Sequence, residues 1–373
     1  MKAVVLVGGE GTRLRPLTLT TPKPLLPIAN QPHLERQLAW LARHGVDEVV
    51  LSMGYLPDAF HDHFARDGQL ADGFAVDGFG DVAVHYAVED EPLGTAGAIR
   101  FAGKGMKERF VVCNGDVLTD LDLGAMVQFH DEHTAEATIS LTQVDDPSAF
   151  GVVPTRSDGG VIAFVEKPPR DKAPSNWINA GTYVLEPEFL ERVPARLNVS
   201  IERETFPRML EEPGRLFGFA AADYWLDIGT PDKYLQAHDD ALAGRLGIPP
   251  APEAREIAPA VWVQGDVEIE EGANAVAPVL LGAGVRVAKG ARVEASVLGA
   301  GTVVERDAVI ERAVLHERAR VAHGSTVRRS MIGIGAVVEA DAIVQGGAII
   351  GAGVPIAAGS RLTGERVPAG VSS

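Results

Sequence analysis

Along the first 245 residues the apolar positions switch between two periods. Ala3 to Val7 is a short, valine-rich run with no polar break, the pattern of a strand buried on both faces. From Pro32 to Ala42, Leu34, Leu38 and Leu41 recur at helical spacing, and Gly45 stands where a C-terminal cap belongs. Val46 to Met53, Val82 to Val88 and Phe110 to Asn114 return to strand, and Gly124 to His133 reads as helix. Strands alternating with helices predict an α/β domain with a mixed, mostly parallel sheet, whose ligands bind at the carboxyl ends of its strands.

From about residue 257 the grammar changes to a period of six. Ile257, Val263, Ile269, Ala275, Leu281, Val287 and Val293 are apolar at intervals of six. After a slip the frame resumes at Val297, Val303, Val309, Leu315, Val321 and Val327. A second slip leads to Ile332, Val338, Val344, Ile350, Ile356 and Leu362. Such a period suits neither a helix nor a hairpin sheet. It predicts a parallel β-helix of hexapeptide repeats, of roughly six coils at three faces per coil. The expected domains are therefore 1–245, a proline-rich linker at 246–256, and the repeat domain at 257–373.

Composition narrows the class. The hydrophobic content of 46% and charged content of 23% are those of a globular protein. No apolar run approaches the ~20 residues of a membrane span, and the N-terminus lacks secretory-signal grammar, so the expected address is the cytoplasm. A single cysteine, Cys113, excludes an internal disulfide, and it reads as a small buried residue of its strand. A net charge of −17 argues against nucleic acid as a partner. Yet Lys2, Arg13, Arg15 and Lys23 face only Glu10 within the first 25 residues, a locally basic pocket suited to a small anion.

That pocket has a recognisable build. Gly8, Gly9 and Gly11 follow the first strand, where backbone amides approach a ligand with no Cβ in the way. Arg13, Arg15 and a proline-flanked Lys23 follow, so amide donors and fixed cations face one anion. The spacing is neither the dinucleotide fingerprint nor a P-loop. The full string Gly8-Gly9-Glu10-Gly11-Thr12-Arg13-Leu14-Arg15-Pro16-Leu17-Thr18, with Pro22-Lys23-Pro24-Leu25, resembles the signature of the sugar-1-phosphate nucleotidyltransferases. Phe164-Val165-Glu166-Lys167-Pro168 resembles the second signature of that family, and the resemblance spans the whole chain.

The resemblance implies a Rossmann-like catalytic domain followed by a left-handed β-helix. It implies in-line attack of a sugar phosphate on the α-phosphorus of a nucleoside triphosphate, with Mg²⁺ and with pyrophosphate leaving. Asp116, in Asn114-Gly115-Asp116, and Asp227, in Trp225-Leu226-Asp227-Ile228-Gly229-Thr230, match the metal-binding aspartates. Arg13 is expected on the leaving phosphates and Lys23 on the α-phosphate. Arg15 has two readings, a phosphate contact or an ion pair with a neighbouring acid. Leu6, Gly8, Gly9, Gly11, Thr12, Glu89, Pro92, Gly94 and Thr95 fall at nucleotide positions. Gly151, Glu166, Lys167, Asn179 and Gly181 fall at sugar-phosphate positions. Glu10 departs from the family by placing an acid inside the phosphate loop.

Glu89 sharpens the base. A carboxylate only accepts hydrogen bonds, which suits the adjacent N1–H and N2–H₂ of guanine, whereas pyrimidine relatives commonly carry glutamine here. Glu91-Pro92-Leu93-Gly94-Thr95-Ala96-Gly97 likewise resembles the mannose-1-phosphate guanylyltransferases. The expected reaction joins GTP and mannose 1-phosphate into GDP-mannose and pyrophosphate. Uridylyl or thymidylyl transfer to glucose 1-phosphate is the alternative, followed by an inactive regulatory homologue. Self-association through the β-helix is expected. His316 and His323 do not indicate acyl transfer, because no long insertion loop interrupts the repeats, and Trp225 reads as packing.

Overall fold

The computed structural model describes residues 1–66, 69–70, 74–76, 80–212 and 214–370. The last three residues of the predicted repeat domain lie outside them. Two compact units divide the chain: Met1–Gly9 with Leu34–Trp225, and Glu10–His33 with Leu226–Ser373.

In the first unit, strands β1 (Lys2–Leu6), β2 (Glu48–Met53), β3 (Gly80–Val88) and β4 (Phe110–Asn114) run parallel in the spatial order β4-β1-β2-β3. Ala3, Val4 and Val5 are fully buried, as an unbroken apolar run requires of a central strand. β5 (Ala137–Gln143), β6 (Gly151–Val152), β7 (Val165–Glu166), β8 (Trp177–Leu185) and β9 (Leu216–Ala220) extend the sheet, and a tenth strand, Phe74–Val76, pairs antiparallel with β3 at its edge. β8 runs antiparallel to β4, β5 and β6, so the sheet is mixed.

Helix α1 (His33–Arg43) buries Leu34, Leu38 and Leu41 completely, and Gly45 has φ 78°, the left-handed stop that glycine supplies. Helix α2 (Pro57–Phe64) turns Phe60 and Phe64 inward. Helix α3 (Gly94–Ala102) begins within the stretch Glu91–Gly97. Helix α4 (Leu123–Glu132) starts one residue earlier than its apolar spacing suggests, because the Asp122 carboxylate caps it by accepting from Ala125 N at 2.9 Å.

The second unit holds residues 10–33, helix α5 (Pro231–Leu242) and the β-helix. Thr230 caps α5 and Pro231 occupies its first position. Equivalent residues of one β-helix face stack as Arg286, Val303, Arg320 and Val337, each 17 residues from the next, with Pro355 one coil further. A coil of 17 consists of two steps of six and one of five.

The five-residue steps correct the inward frame. Leu298, Val304 and Ile310 fill the interior, whereas Val303 and Val309 lie partly exposed outside it. Adjacent valines and isoleucines hide the phase, since either residue of such a pair suits a strand. Ile257 and Ile269 are exposed, so the first predicted coil contributes less to the core. Two residues before most inward aliphatics stands a small one, as in Ala291/Val293, Ala308/Ile310, Ala319/Val321, Ala336/Val338 and Ala342/Val344, with Val285/Val287 and Val354/Ile356 among the exceptions. Each buried Val, Leu or Ile contributes about 1.5–3 kcal/mol.

Candidate functional site

The phosphate-loop residues of the second unit hold one another in place. Gly11 has φ 61°, and a Cβ there would lie 2.9 Å from the Thr18 methyl and 3.1 Å from Lys23 Cβ. Only glycine fits this turn without strain. The Thr18 hydroxyl donates to Gly11 O at 2.9 Å, closing the loop, and Leu14 is buried beneath it. Pro22 caps, and Pro24 lies within, a short 3₁₀ turn, Lys23–Leu25, that leaves Lys23 only 7% exposed. Its Nζ lies 3.9 Å from Asp227 Oδ1, and that same oxygen accepts from Gly229 N at 2.7 Å. A Cβ on Gly229 would sit 2.6 Å from the Arg13 guanidinium. Arg13, Lys23 and Asp227 therefore converge, with an exposed guanidinium and a buried ammonium around one carboxylate.

Arg15 follows its second reading. Its guanidinium pairs with Glu10 at 2.6 Å, which also explains the acid in the loop. Gly229 was not singled out by sequence reasoning. The signal was present, since glycine follows the aspartate by two residues, but only the folded loop shows that a guanidinium occupies the space.

In the first unit, Leu6 ends β1 beside Asn114 of β4. A Cβ on Gly8 would stand 3.1 Å from Gly54 N, whereas Gly9 has open space at that point. Asp116 occupies a two-residue turn after β4, half-buried, and a Cβ on the preceding Gly115 would meet Leu6 O at 2.7 Å. That crowding fixes the glycine, and the glycine fixes where the acid emerges. Cys113 is fully buried and its thiol is pushed up to about 12 by desolvation, so it supplies no thiolate.

The segment from Glu89 to Thr95 is tied down by hydrogen bonds to its own backbone, to Ser52 and to Asn198–Glu202. Glu89 accepts from the Ser52 hydroxyl at 3.0 Å and from Leu93 N at 2.9 Å, one donor on each carboxylate oxygen. Pro92 O accepts from Asn198 Nδ2 at 2.9 Å. Gly94 has φ 69° and lies against Val199 O, where a Cβ would come to 2.6 Å. Thr95 accepts from Ile201 N at 2.8 Å and donates to Glu202 at 2.9 Å. Ser52 and the segment Asn198–Glu202 thus shape the stretch, and neither carries a sequence signal of its own. Thr12 opens the short turn that carries Arg13.

The sugar-phosphate candidates form two groups. Gly151 pairs with Glu166 across β6 and β7, and Lys167 Nζ lies 3.1 Å from Glu166 Oε1. Lys167 has φ 48°, a left-handed conformation rare outside glycine, in which its N–H donates to Phe150 O. Asn179 and Gly181 sit on β8. The Asn179 amide donates to the Tyr183 hydroxyl and accepts from Gly181 N, and Gly181 (φ 78°) leaves room for Asn114 Nδ2.

Residues 2–244 match the family described as Nucleotidyl transferase, and residues 259–362 match EIF2B subunit epsilon LbH domain. The chain is 38% identical over 312 residues to the mannose-1-phosphate guanylyltransferase of Mycobacterium tuberculosis, covering 83% of each chain. It is 38% identical over 305 residues to mannose-1-phosphate guanylyltransferase 1 of Arabidopsis thaliana, covering 80% of this chain and 79% of that one. Among solved structures, HddC from Yersinia pseudotuberculosis complexed with GMP-PN superposes with a TM-score of 0.52 at 30% identity, covering 64% of this chain and 98% of that one.

Proposed function

We propose that this chain, which belongs to the nucleotidyl transferase family, transfers a guanylyl group from GTP to mannose 1-phosphate. The observation that carries the reading is its similarity, over four-fifths of its length, to proteins named for that reaction. A phosphate oxygen of the sugar phosphate attacks the α-phosphorus of GTP, forming one P–O bond. The bond from the α-phosphorus to the bridging oxygen breaks, and pyrophosphate leaves in line. Alignment and charge neutralisation supply most of the rate.

Lys23 is the group for the α-phosphate. Its stem is buried between prolines, so the ammonium is held in place before substrate arrives. Arg13 takes the leaving phosphates with its planar fork. Lys167 takes the sugar phosphate and Glu166 accepts from sugar hydroxyls, while Gly151, Asn179 and Gly181 shape that subsite. Gly8, Gly9, Gly11, Thr12, Leu6, Pro92, Gly94 and Thr95 line the nucleotide. Glu89 reads guanine: two of its roughly four lone-pair sites hold Ser52 and Leu93, and the rest remain for N1–H and N2–H₂.

Among the described residues no three His, Cys, Asp or Glu side chains cluster to hold a metal. One or two carboxylates together with substrate phosphates are the usual ligands of Mg²⁺. Asp116 and Asp227 are the carboxylates for it. When bound, the ion supplies neutralisation of triphosphate charge. Asp116→Asn is expected to abolish turnover with the circular dichroism spectrum unchanged, and appreciable residual activity in Mg²⁺ removes Asp116 from that role.

The protein acts in the cytoplasm as a homo-oligomer assembled through its β-helix; among the described residues no helix is long and apolar enough to cross a membrane. Light scattering of the full chain checks the assembly, and a monomer mass overturns it. Pyrophosphate release with GTP, UTP, dTTP and ATP, each paired with mannose 1-phosphate and glucose 1-phosphate, tests the reaction. Release with GTP and mannose 1-phosphate is expected. Preference for UTP or dTTP with glucose 1-phosphate overturns the base reading, and silence in every pairing overturns the enzyme.

A further inference from the structure

Within the second unit, residues that follow the phosphate loop border a cavity of about 270 Å³. Six polar side chains line it: Asn30, His238, whose Nδ1 accepts from Ala29 N at 3.1 Å, Glu253, Gln264, His316 and Glu317. His316 is 96% buried, its ring stacks on Tyr234 at 6.3 Å and 17°, and its Nε2 has no hydrogen-bond partner among the described residues. An orphaned buried ring nitrogen is costly unless something fills its valence.

The other polar groups are partly used. Asn30 Nδ2 donates to Gln264 Oε1 at 3.1 Å and to Leu298 O at 2.9 Å, which leaves Oδ1 as an acceptor. Gln264 Nε2 donates to Pro252 O at 3.0 Å, which leaves its second hydrogen. Glu253 and Glu317 are exposed residues of the lining, and no lysine or arginine contributes to it. Leu315, Val314 and Ala283 supply apolar wall.

We propose that this cavity binds an uncharged, hydroxyl-bearing molecule of monosaccharide size. The unmet valences include acceptors and a donor together, and a hydroxyl is the group that serves both. Two carboxylates without a cation disfavour a phosphorylated ligand. The volume lies just under the ~300 Å³ lower end of drug-sized sites, which suits a single ring. Burial lowers the His316 pKa to about 4, so the imidazole is neutral at physiological pH and offers a hydroxyl one ring nitrogen rather than a charge.

The test is histidine ¹⁵N NMR of the full chain titrated with D-mannose and with D-glucose. The His316→Gln variant assigns the ring signal. A saturable shift of that signal with at least one hexose is expected, with none from inorganic phosphate. Glu317→Ala alters an exposed residue and leaves the fold intact, and it is expected to weaken the hexose about fivefold. Three results overturn the proposal: no saturable shift with either hexose, an equal shift with phosphate, or an affinity that Glu317→Ala leaves unchanged. None of these readouts depends on nucleotidyl transfer, so failure here and failure of the proposed reaction are separable.

Discussion

Gly229 matters because of what passes beside it. A methyl there would meet the Arg13 guanidinium at 2.6 Å and Asp227 Oδ1 at 2.7 Å, both at the ends of side chains that can move. The fold then survives while the constellation shifts. Gly229→Ala is expected to lower kcat on the order of ten- to a hundredfold, with the unfolding midpoint nearly unchanged, in parallel steady-state and urea experiments. In the role proposed for Lys23, Lys23→Met removes charge stabilisation at the α-phosphate, so kcat should fall on the order of a hundredfold or more. Little change in the KM for GTP is expected, and a KM effect alone would move Lys23 to ground-state binding.

Elements explain why residues stay where they are. Pro27–Ile28 and Gln31–Pro32 form a hairpin whose turn residues, Ala29 and Asn30, have φ 46° and 62°. Two left-handed residues in succession match the tight turn that suits strand twist. The hairpin is clamped from two sides within the second unit. The Tyr234 hydroxyl donates to Pro27 O at 2.5 Å, Ala29 N donates to His238 Nδ1 at 3.1 Å, and Asn30 reaches Gln264 and Leu298 of the β-helix. The β-helix is thus part of the support for the segment that carries Lys23, besides any role in assembly. Asn30→Ala removes two hydrogen bonds and should cost about 1–3 kcal/mol, measured by chemical denaturation, together with a lower kcat. Asn30 could be read as a turn residue from its type; that its amide joins the hairpin to residues more than 200 positions away could not.

At the scale of the whole molecule, His316 is one group that couples stability to pH. Its folded-state pKa, about 4, lies below the ordinary 6.5 because burial disfavours the cation. Between those values the unfolded chain takes up a proton that the folded chain refuses. The contribution is therefore intact above about pH 6.5 and is lost as pH falls toward 4, by about 3 kcal/mol in full. Replacing the ring by His316→Phe keeps the aromatic contact with Tyr234 and removes the titration. Stability of the wild type should then fall more steeply than that of the variant between pH 6.5 and 4, by urea denaturation at each pH. Equal slopes would show that His316 is not held neutral.

Local chemistry made much of this protein legible. A short valine-rich run ending in glycines reads as a buried strand, and a six-residue apolar period has one economical architecture. The strand at Phe110–Asn114 and the cap at Thr230 follow from residue types alone. Tertiary structure decided the rest. It set the phase of the β-helix, because Val303 and Val304 have the same local preference and only packing against neighbouring coils chooses between them. It paired Arg15 with Glu10, gave Glu89 its two donors, and brought Gly229 beneath Arg13. Such partnerships depend on distances between segments far apart in the chain, and short-range preferences carry no information about them.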